Sequence, residues 1–317
     1  MQKTKLVIYI PSYNRGQVLS EQLERIVNQW GKYRDRIRLV ISDNFSSDPV
    51  YKTLSAKFIQ KNISFRRNIS NIGGNENIMQ GFLTAGEDDY LWILSDDDML
   101  TSSALEEIFW GIDKNTDIIH IGETERIIQT ELSLNNVFTI TKGAGFGLTS
   151  VVIFSVNFIK DFIYYGFEYM DSSFPHFAIL LSSLREHKKA KLTIVRHKYV
   201  FTKETVATHG SGDYFLSAVG FGYLSDFLEK PNQRKFLWDW ITSTWPLYFA
   251  ARRHYPAAFH KSEGYLRSFG LRFFFFLFFA GILYGLQSAQ KKILMAAVVE
   301  AKKSSFGRSI IESLKKL

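Results

Sequence analysis

Tyr90-Leu-Trp-Ile-Leu-Ser-Asp-Asp-Asp98 is an apolar run that stops at three consecutive carboxylates. Five large apolar residues with no polar interruption suit a buried strand of the kind found in parallel sheets. Three adjacent acids repel one another, so a fold keeps them at a strand end mainly when a cation or a set of donors sits opposite. In an open α/β sheet the ligand crevice lies beyond the carboxyl ends of the strands, which is where Asp96, Asp97 and Asp98 fall. A solvated acidic loop has the same composition. The neighbouring segments choose between the two.

Upstream, Lys5-Leu-Val-Ile-Tyr-Ile10 is a short β-branched run closed by Pro11-Ser-Tyr-Asn-Arg-Gly16, a turn cluster that carries a ring and a guanidinium. Leu19, Leu23, Ile26 and Val27 then recur at helical spacing. A second strand over 37–41 ends at Ser42-Asp-Asn-Phe-Ser-Ser-Asp-Pro49. A third over 63–66 leads into Asn71-Ile-Gly-Gly-Asn-Glu-Asn77 and a short helix marked by Ile78, Phe82 and Ala85. Four successive strands thus end in polar loops, the layout of a nucleotide site on a mostly parallel sheet.

Taken in order and spacing, Ile10-Pro-Ser-Tyr-Asn-Arg15, Val40-Ile-Ser-Asp-Asn-Phe-Ser-Ser-Asp48, Asn71-Ile-Gly-Gly-Asn-Glu-Asn77 and Ile93-Leu-Ser-Asp-Asp-Asp98 resemble the motifs of the family 2 glycosyltransferases with the GT-A fold. The resemblance covers residues 5–105, loosens over 146–206 and stops near Gly210. It implies an α/β GT-A catalytic domain over 1–210 with a Rossmann-like, mostly parallel nucleotide-binding sheet. Residues 1–105 would form the nucleotide-binding half and 146–206 the acceptor half, followed by a helical, basic, aromatic-rich region over 211–317. The implied activity is inverting, metal-dependent transfer of a hexose from a nucleotide sugar, most naturally UDP-linked. The implied acceptor is a saccharide or lipid-linked saccharide in surface polysaccharide synthesis.

Carried over residue by residue, the resemblance places Pro11, Tyr13, Asn14 and Arg15 beside the base and ribose. Asp43 would accept the N3–H of uracil, since an ionised carboxylate only accepts. Asn71 and Asn77 would line the crevice near the ribose, Asp96 or Asp97 would face the ribose, and Asp98 would hold Mn²⁺ or Mg²⁺. Such cations favour carboxylate, phosphate and water oxygens, and one or two protein carboxylates usually suffice. Many relatives begin this motif with Asp where this chain has Ser95. A nucleotidyltransferase would also present carboxylates and a cation, but it would ordinarily carry a Gly-rich basic loop after the first strand, and Pro11 to Gly16 is not one. A non-catalytic sugar-nucleotide-binding protein is the other alternative.

Further along, Phe146-Gly-Leu-Thr-Ser-Val-Val-Ile-Phe154 reads as the strand that opens the acceptor half, with a helix from Asn157. Transfer to a hydroxyl needs a general base within hydrogen-bond reach. Relatives often supply it from a Glu-Asp pair at a helix start, and this chain has no such pair. Glu168, Asp171 and His176 are the available groups, with Asp171 ranked first; its competing role is a helix N-cap. His176 leads into the apolar stretch Phe177 to Leu181 and also reads as a core residue. His209, beside Gly210-Ser-Gly212, reads as a surface residue of a loop that could close over the donor.

Of the 317 residues, 46% are hydrophobic and 15% aromatic, which excludes a disordered chain, and without cysteine there is neither a disulfide framework nor a thiolate metal site. The first residues pass into a short strand rather than the longer apolar core of a signal peptide, so the expected location is cytoplasmic, with peripheral attachment to the inner membrane face as a second element of the reading. The net charge of +8 is uneven: from Glu229 to Leu317 there are 15 Lys and Arg against 5 Asp and Glu. Rings interleave with this charge, and Phe273 to Leu286 is wholly apolar. Nucleic acid is excluded as a partner because such a run needs burial away from water. It is also shorter than the ~20 residues a helix needs to cross a bilayer. Two readings stand for the basic amphipathic pattern that follows: attachment to an anionic membrane surface, or helices that bury one another in a bundle or homo-oligomer.

Overall fold

Apolar β-branched runs become a sheet with helices packed against it. The computed structural model describes residues 5–58, 62–100, 103–122, 124–141, 145–196, 200–201 and 224–228, with backbone alone at Met99, Asp171, Val200, Phe201 and Ser225. Eight strands join in one sheet: β1 (Leu6–Ser12), β2 (Ile37–Asp43), β3 (Ile63–Arg67), β4 (Tyr90–Ile93), β6 (Ile118–Gly122), β7 (Ile128–Leu132), β8 (Val152–Ser155) and β9 (Ala190–Arg196). Their spatial order is β3-β2-β1-β4-β8-β6-β9-β7. Two further strands, β5 (Asp98–Met99) and β10 (Val200–Phe201), form a small antiparallel ribbon.

The first half is the parallel wing: β1 pairs in parallel with both β2 and β4, and β2 with β3. Helices α1 (Gly16–Gln29), α2 (Val50–Lys57) and α3 (Gly74–Phe82) connect these strands, as parallel neighbours require. In α1 the apolar positions Leu19, Leu23 and Ile26 are fully buried, and Gln22 shares that face. Leu6 to Ile10 and Leu91 to Leu94 are buried as well, which accounts for their unbroken apolar sequence. After α4 (Ala104–Asp113) the sheet becomes mixed, because β8 runs antiparallel to both β4 and β6, and β7 antiparallel to β9. The sheet is therefore mostly parallel, as expected, and every antiparallel pair in it involves a strand that follows α4.

One local expectation is corrected. The stretch 146–154 is not a single strand: it makes short 3₁₀ turns at Gly145–Gly147 and Thr149–Val151, and pairing begins only at Val152. Gly145 takes a left-handed φ of +48°, and Ser150 is diverted to contacts with β4 and its loop. The chain continues through α5 (Val156–Ile159), α6 (Ile163–Glu168), a 3₁₀ turn at Met170–Ser172 and α7 (Pro175–His187). Among the described residues no helix is long and apolar enough to cross a membrane. The helical region expected over 211–317 lies almost wholly outside the described residues, as does His209.

Candidate active site

Register brings the loops together. Ser12 at the end of β1 sits opposite Asp43 at the end of β2, and Asp43 opposite Arg67 at the end of β3. On the other side Tyr9 pairs with Ile93, so the acidic triplet leaves the same edge. Pro11 lies on β1 beyond the last pairing with β4, where its missing N–H deprives no ladder of a bond.

The triplet is neutralised unequally. Arg15 donates through Nη1 to Asp96 Oδ1 and to Asp97 Oδ2, both at 2.8 Å. The second oxygen of Asp96 accepts the Ser12 hydroxyl, which is 2.6 Å from the Tyr51 hydroxyl, and Asp97 Oδ1 accepts the Ser95 hydroxyl. Burial holds the Asp96 carboxyl above its ordinary range, outweighing Arg15 and Ser12. For Arg15, burial opposes the charge, but Asp96 and Asp97 outweigh it and raise its pKa. Asp98 differs: among the described residues no ion pair engages it, and its carboxyl is pushed up first by burial, with the Ser150 hydroxyl favouring the charged form. Ser150 Oγ in turn accepts the Ser95 N–H at 2.9 Å. From α1, the Gln22 amide donates to the carbonyls of Ser95 (2.6 Å) and Asp98 (2.7 Å), which fixes the loop backbone.

A divalent cation fits this donor set in one way. Asp96 and Asp97 are paired directly with Arg15, whereas Asp98 makes no ion pair among the described residues and feels the Arg15 charge only at longer range. Among the described residues no group of three or more acidic or histidine side chains is assembled to cage an ion. One protein carboxylate, completed by phosphate and water oxygens, suits Mg²⁺ or Mn²⁺.

The β2 loop is equally ordered. Asp43, 4% exposed, accepts from Arg67 Nη1 at 2.6 Å and from the Ser46 N–H at 2.9 Å. Two of its roughly four lone-pair positions are thereby used. The Arg67 guanidinium also donates to the Ser46 carbonyl and lies 5.1 Å from the ring centre of Phe45. Asn14 and Phe45 adopt positive φ (54° and 66°), and Asn14 is held by the Ser46 hydroxyl and the Ser47 N–H. Tyr13 and Phe45 remain about half exposed. Asn44 donates to Asn71 Oδ1 at 2.8 Å and to the Gly73 carbonyl at 3.1 Å. Asn77 is buried, its amide exchanging hydrogen bonds with the Ser42 hydroxyl and carbonyl. Asn71 is thus exposed at the crevice, whereas Asn77 ties α3 to the end of β2 from beneath.

Further along the chain, Asp171 sits in the 3₁₀ turn Met170–Ser172, four residues before α7, whose N-cap is Phe174. Asp171 therefore lies three residues before the N-cap position of this helix. His176 is 2% exposed inside the first turn of α7, with Nε2 3.2 Å from the Phe146 carbonyl, and burial lowers its pKa to about 4. Glu168 is exposed at the end of α6.

Residues 7–163 match the model of glycosyl transferase family 2. That stretch belongs to family 2. Among curated proteins, the chain is 34% identical over 111 residues to the abequosyltransferase RfbV of Salmonella typhimurium, covering 34% of this chain and 33% of that protein. It is 27% identical over 117 residues to the poly(ribitol-phosphate) beta-N-acetylglucosaminyltransferase TarP of Staphylococcus aureus, covering 36% and 35%. Both matches span about a third of the relative's length. Residues 1–349 of S. aureus TarS superpose with a TM-score of 0.54 at 16% identity, covering 80% of this chain and 74% of that one. The mannosyltransferase PcManGT from Pyrobaculum calidifontis, in complex with GDP-Man and Mn²⁺, gives 0.50 at 13% identity, covering 97% and 83%. At such identities the likeness is one of fold, and the family 2 core here is a GT-A sheet.

Several members of the constellation were not singled out in the sequence. Ser12 and Arg67 end their strands and Ser46 lies in the loop just after β2, so position alone would have flagged them. Gln22 and Ser150 carry no such signal. One is a polar residue on an apolar helix face, the other reaches the triplet only through the β4–β8 pairing.

Proposed function

We propose that this chain is an inverting, metal-dependent glycosyltransferase that moves a hexose from a nucleotide sugar, UDP-linked, to a saccharide or lipid-linked saccharide in surface polysaccharide synthesis. The observation that carries the reading is Asp98: a carboxylate that makes no ion pair among the described residues, at the carboxyl edge of a GT-A sheet, beside two acids already paired with Arg15. Pro11, Tyr13, Asn14 and Asn71 would contact the base and ribose. Asp43, oriented by Arg67 and Ser46, would accept from the base, which suits a base that presents a ring N–H, such as uracil, over adenine or cytosine. Asp97, the more exposed of the Arg15-paired acids, suits a ribose contact better than Asp96.

A cation held by Asp98 would supply charge stabilisation to the departing diphosphate. This chain's own residues do the rest. Arg15 and Gln22 hold the triplet loop in place. Asp171 would take the proton from the acceptor hydroxyl, whose oxygen then attacks the anomeric carbon from the face opposite the diphosphate. Inversion rests on the family resemblance; the name of RfbV supports transfer of a sugar, and that of TarP, a poly(ribitol-phosphate) beta-N-acetylglucosaminyltransferase, supports a polymer acceptor. A cytoplasmic location fits a nucleotide-sugar donor. Turnover of UDP-hexoses, measured as UDP release with Mn²⁺ and again after chelation, tests the proposal. Metal-dependent release that Asp98→Asn abolishes is the expected result; release indifferent to both chelation and substitution would overturn it.

A further inference from the structure

Asn75 lies in the first turn of α3, within the segment assigned to donor binding, yet its side chain does not point into that network. Its amide Nδ2 donates at 2.8 Å to the carbonyl of Met170, 95 residues away. Met170 opens the 3₁₀ turn that carries Asp171, and the turn exits through Ser173 in a left-handed conformation, φ 66°, which costs a non-glycine residue energy unless its surroundings hold it. At its donor end the same α3 turn is bound to β2: Asn44 donates to the Gly73 carbonyl, and Asn77 bonds to Ser42. Further along α3 the two halves touch by close packing, since a Cβ at Gly166 of α6 would lie 2.5 Å from the methyl of Met79.

We infer that Asn75 is a positioning residue that couples nucleotide occupancy to the placement of the Asp171 turn. The inference rests on the proposed roles of the nucleotide crevice and of Asp171. A ligand that contacts Asn71 and the β2 loop rigidifies the first turn of α3. The Asn75 amide passes that order to the Met170 carbonyl and hence to the base-bearing backbone. Only an amide donor serves, because a carboxylate at this position would face the Met170 carbonyl with acceptors on both sides.

Backbone hydrogen exchange with and without UDP and Mn²⁺ tests this on the full chain, comparing the parent with Asn75→Ala and Asn75→Asp. In the parent, UDP with Mn²⁺ slows exchange in both 71–78 and 168–174. In either variant, 71–78 remains protected while 168–174 loses its added protection. Turnover should divide in the same way, with kcat for UDP-hexose falling ~10-fold and KM for the donor unchanged within about twofold, the split expected when positioning rather than donor binding is lost. Equal protection of 168–174 in the parent and both variants overturns the coupling, as does its absence in a parent that protects 71–78. No protection of 71–78 or of the 40–48 loop in the parent would instead overturn the nucleotide reading beneath it.

Discussion

At the scale of single residues the site is a graded set of carboxylates, and each grade has its own expected mutational signature. Asp98→Asn keeps the shape of a half-buried side chain, so stability should change little while Mn²⁺-dependent UDP binding is lost. Ser150 supplies the hydroxyl that supports the charged form of Asp98. Ser150→Ala should weaken Mn²⁺ affinity by ~10-fold, the usual size of an outer-sphere effect, measured by titrating the metal at fixed UDP. Asp43→Ala should cost about 1.5–3 kcal/mol of UDP affinity, as for a lost hydrogen bond to a charged group, and should relax discrimination between UDP and other nucleoside diphosphates. An unchanged Kd for UDP would remove Asp43 from base recognition. Asp171→Asn should lower turnover by ~10²- to 10⁴-fold with donor binding intact; near-parental turnover would exclude Asp171 as the base.

At the scale of elements, two neutral histidines sit between β6, α7 and the Gly145–Gly147 turn. His120 is 4% exposed, its ring 4.7 Å from that of Phe146, and neither nitrogen makes a well-formed hydrogen bond, although the Gly145 backbone is near enough to favour the charged form slightly. Burial lowers the pKa of both His120 and His176 from 6.5 to about 4. The unfolded chain therefore binds more protons than the folded one between these values. Stability is full above pH 6.5 and falls as pH drops toward 4, by about 2 kcal/mol per histidine at pH 5. Thermal melts from pH 7 to 5 should show this decline, and His120→Leu, of similar volume, should remove about half of it at small cost at pH 7. Identical pH profiles for parent and variant would contradict that origin. The same region shows where sequence reading stops. The strands of the parallel wing were legible because unbroken apolar runs meet turn clusters at their ends. The segment 146–151 was not, because its backbone follows Gly145 and the Ser150 contacts rather than its own apolar pattern. An N-cap was the competing role for Asp171 in the sequence, whereas the helix starts at Pro175 with Phe174 at the N-cap position.

At the scale of the whole chain, the near-neutral residues that form the site contrast with the basic, ring-rich stretch from Glu229 onward. If that stretch attaches to a membrane, the protein should co-sediment with vesicles containing anionic lipid at low salt. Changing Lys302, Lys303, Lys315 and Lys316 together to Gln should release it, at about 1 kcal/mol per lysine. Activity without vesicle binding at low salt would favour an association of helices instead. Fold and motif positions were readable because they are local in sequence. The contacts that distinguish Asp98 from its neighbours were not, since they depend on Arg15 reaching across the sheet edge and on Ser150 arriving from the 3₁₀ turn that leads into β8. That distinction is the centre of the functional reading, and calorimetric titration of UDP into the parent and into Asp98→Asn, each with Mn²⁺ and with chelator, tests it most directly. UDP should bind the parent far more tightly with Mn²⁺ than without, and the variant should show no such difference. Binding that is equally Mn²⁺-dependent in both proteins would contradict the assignment of the cation to Asp98.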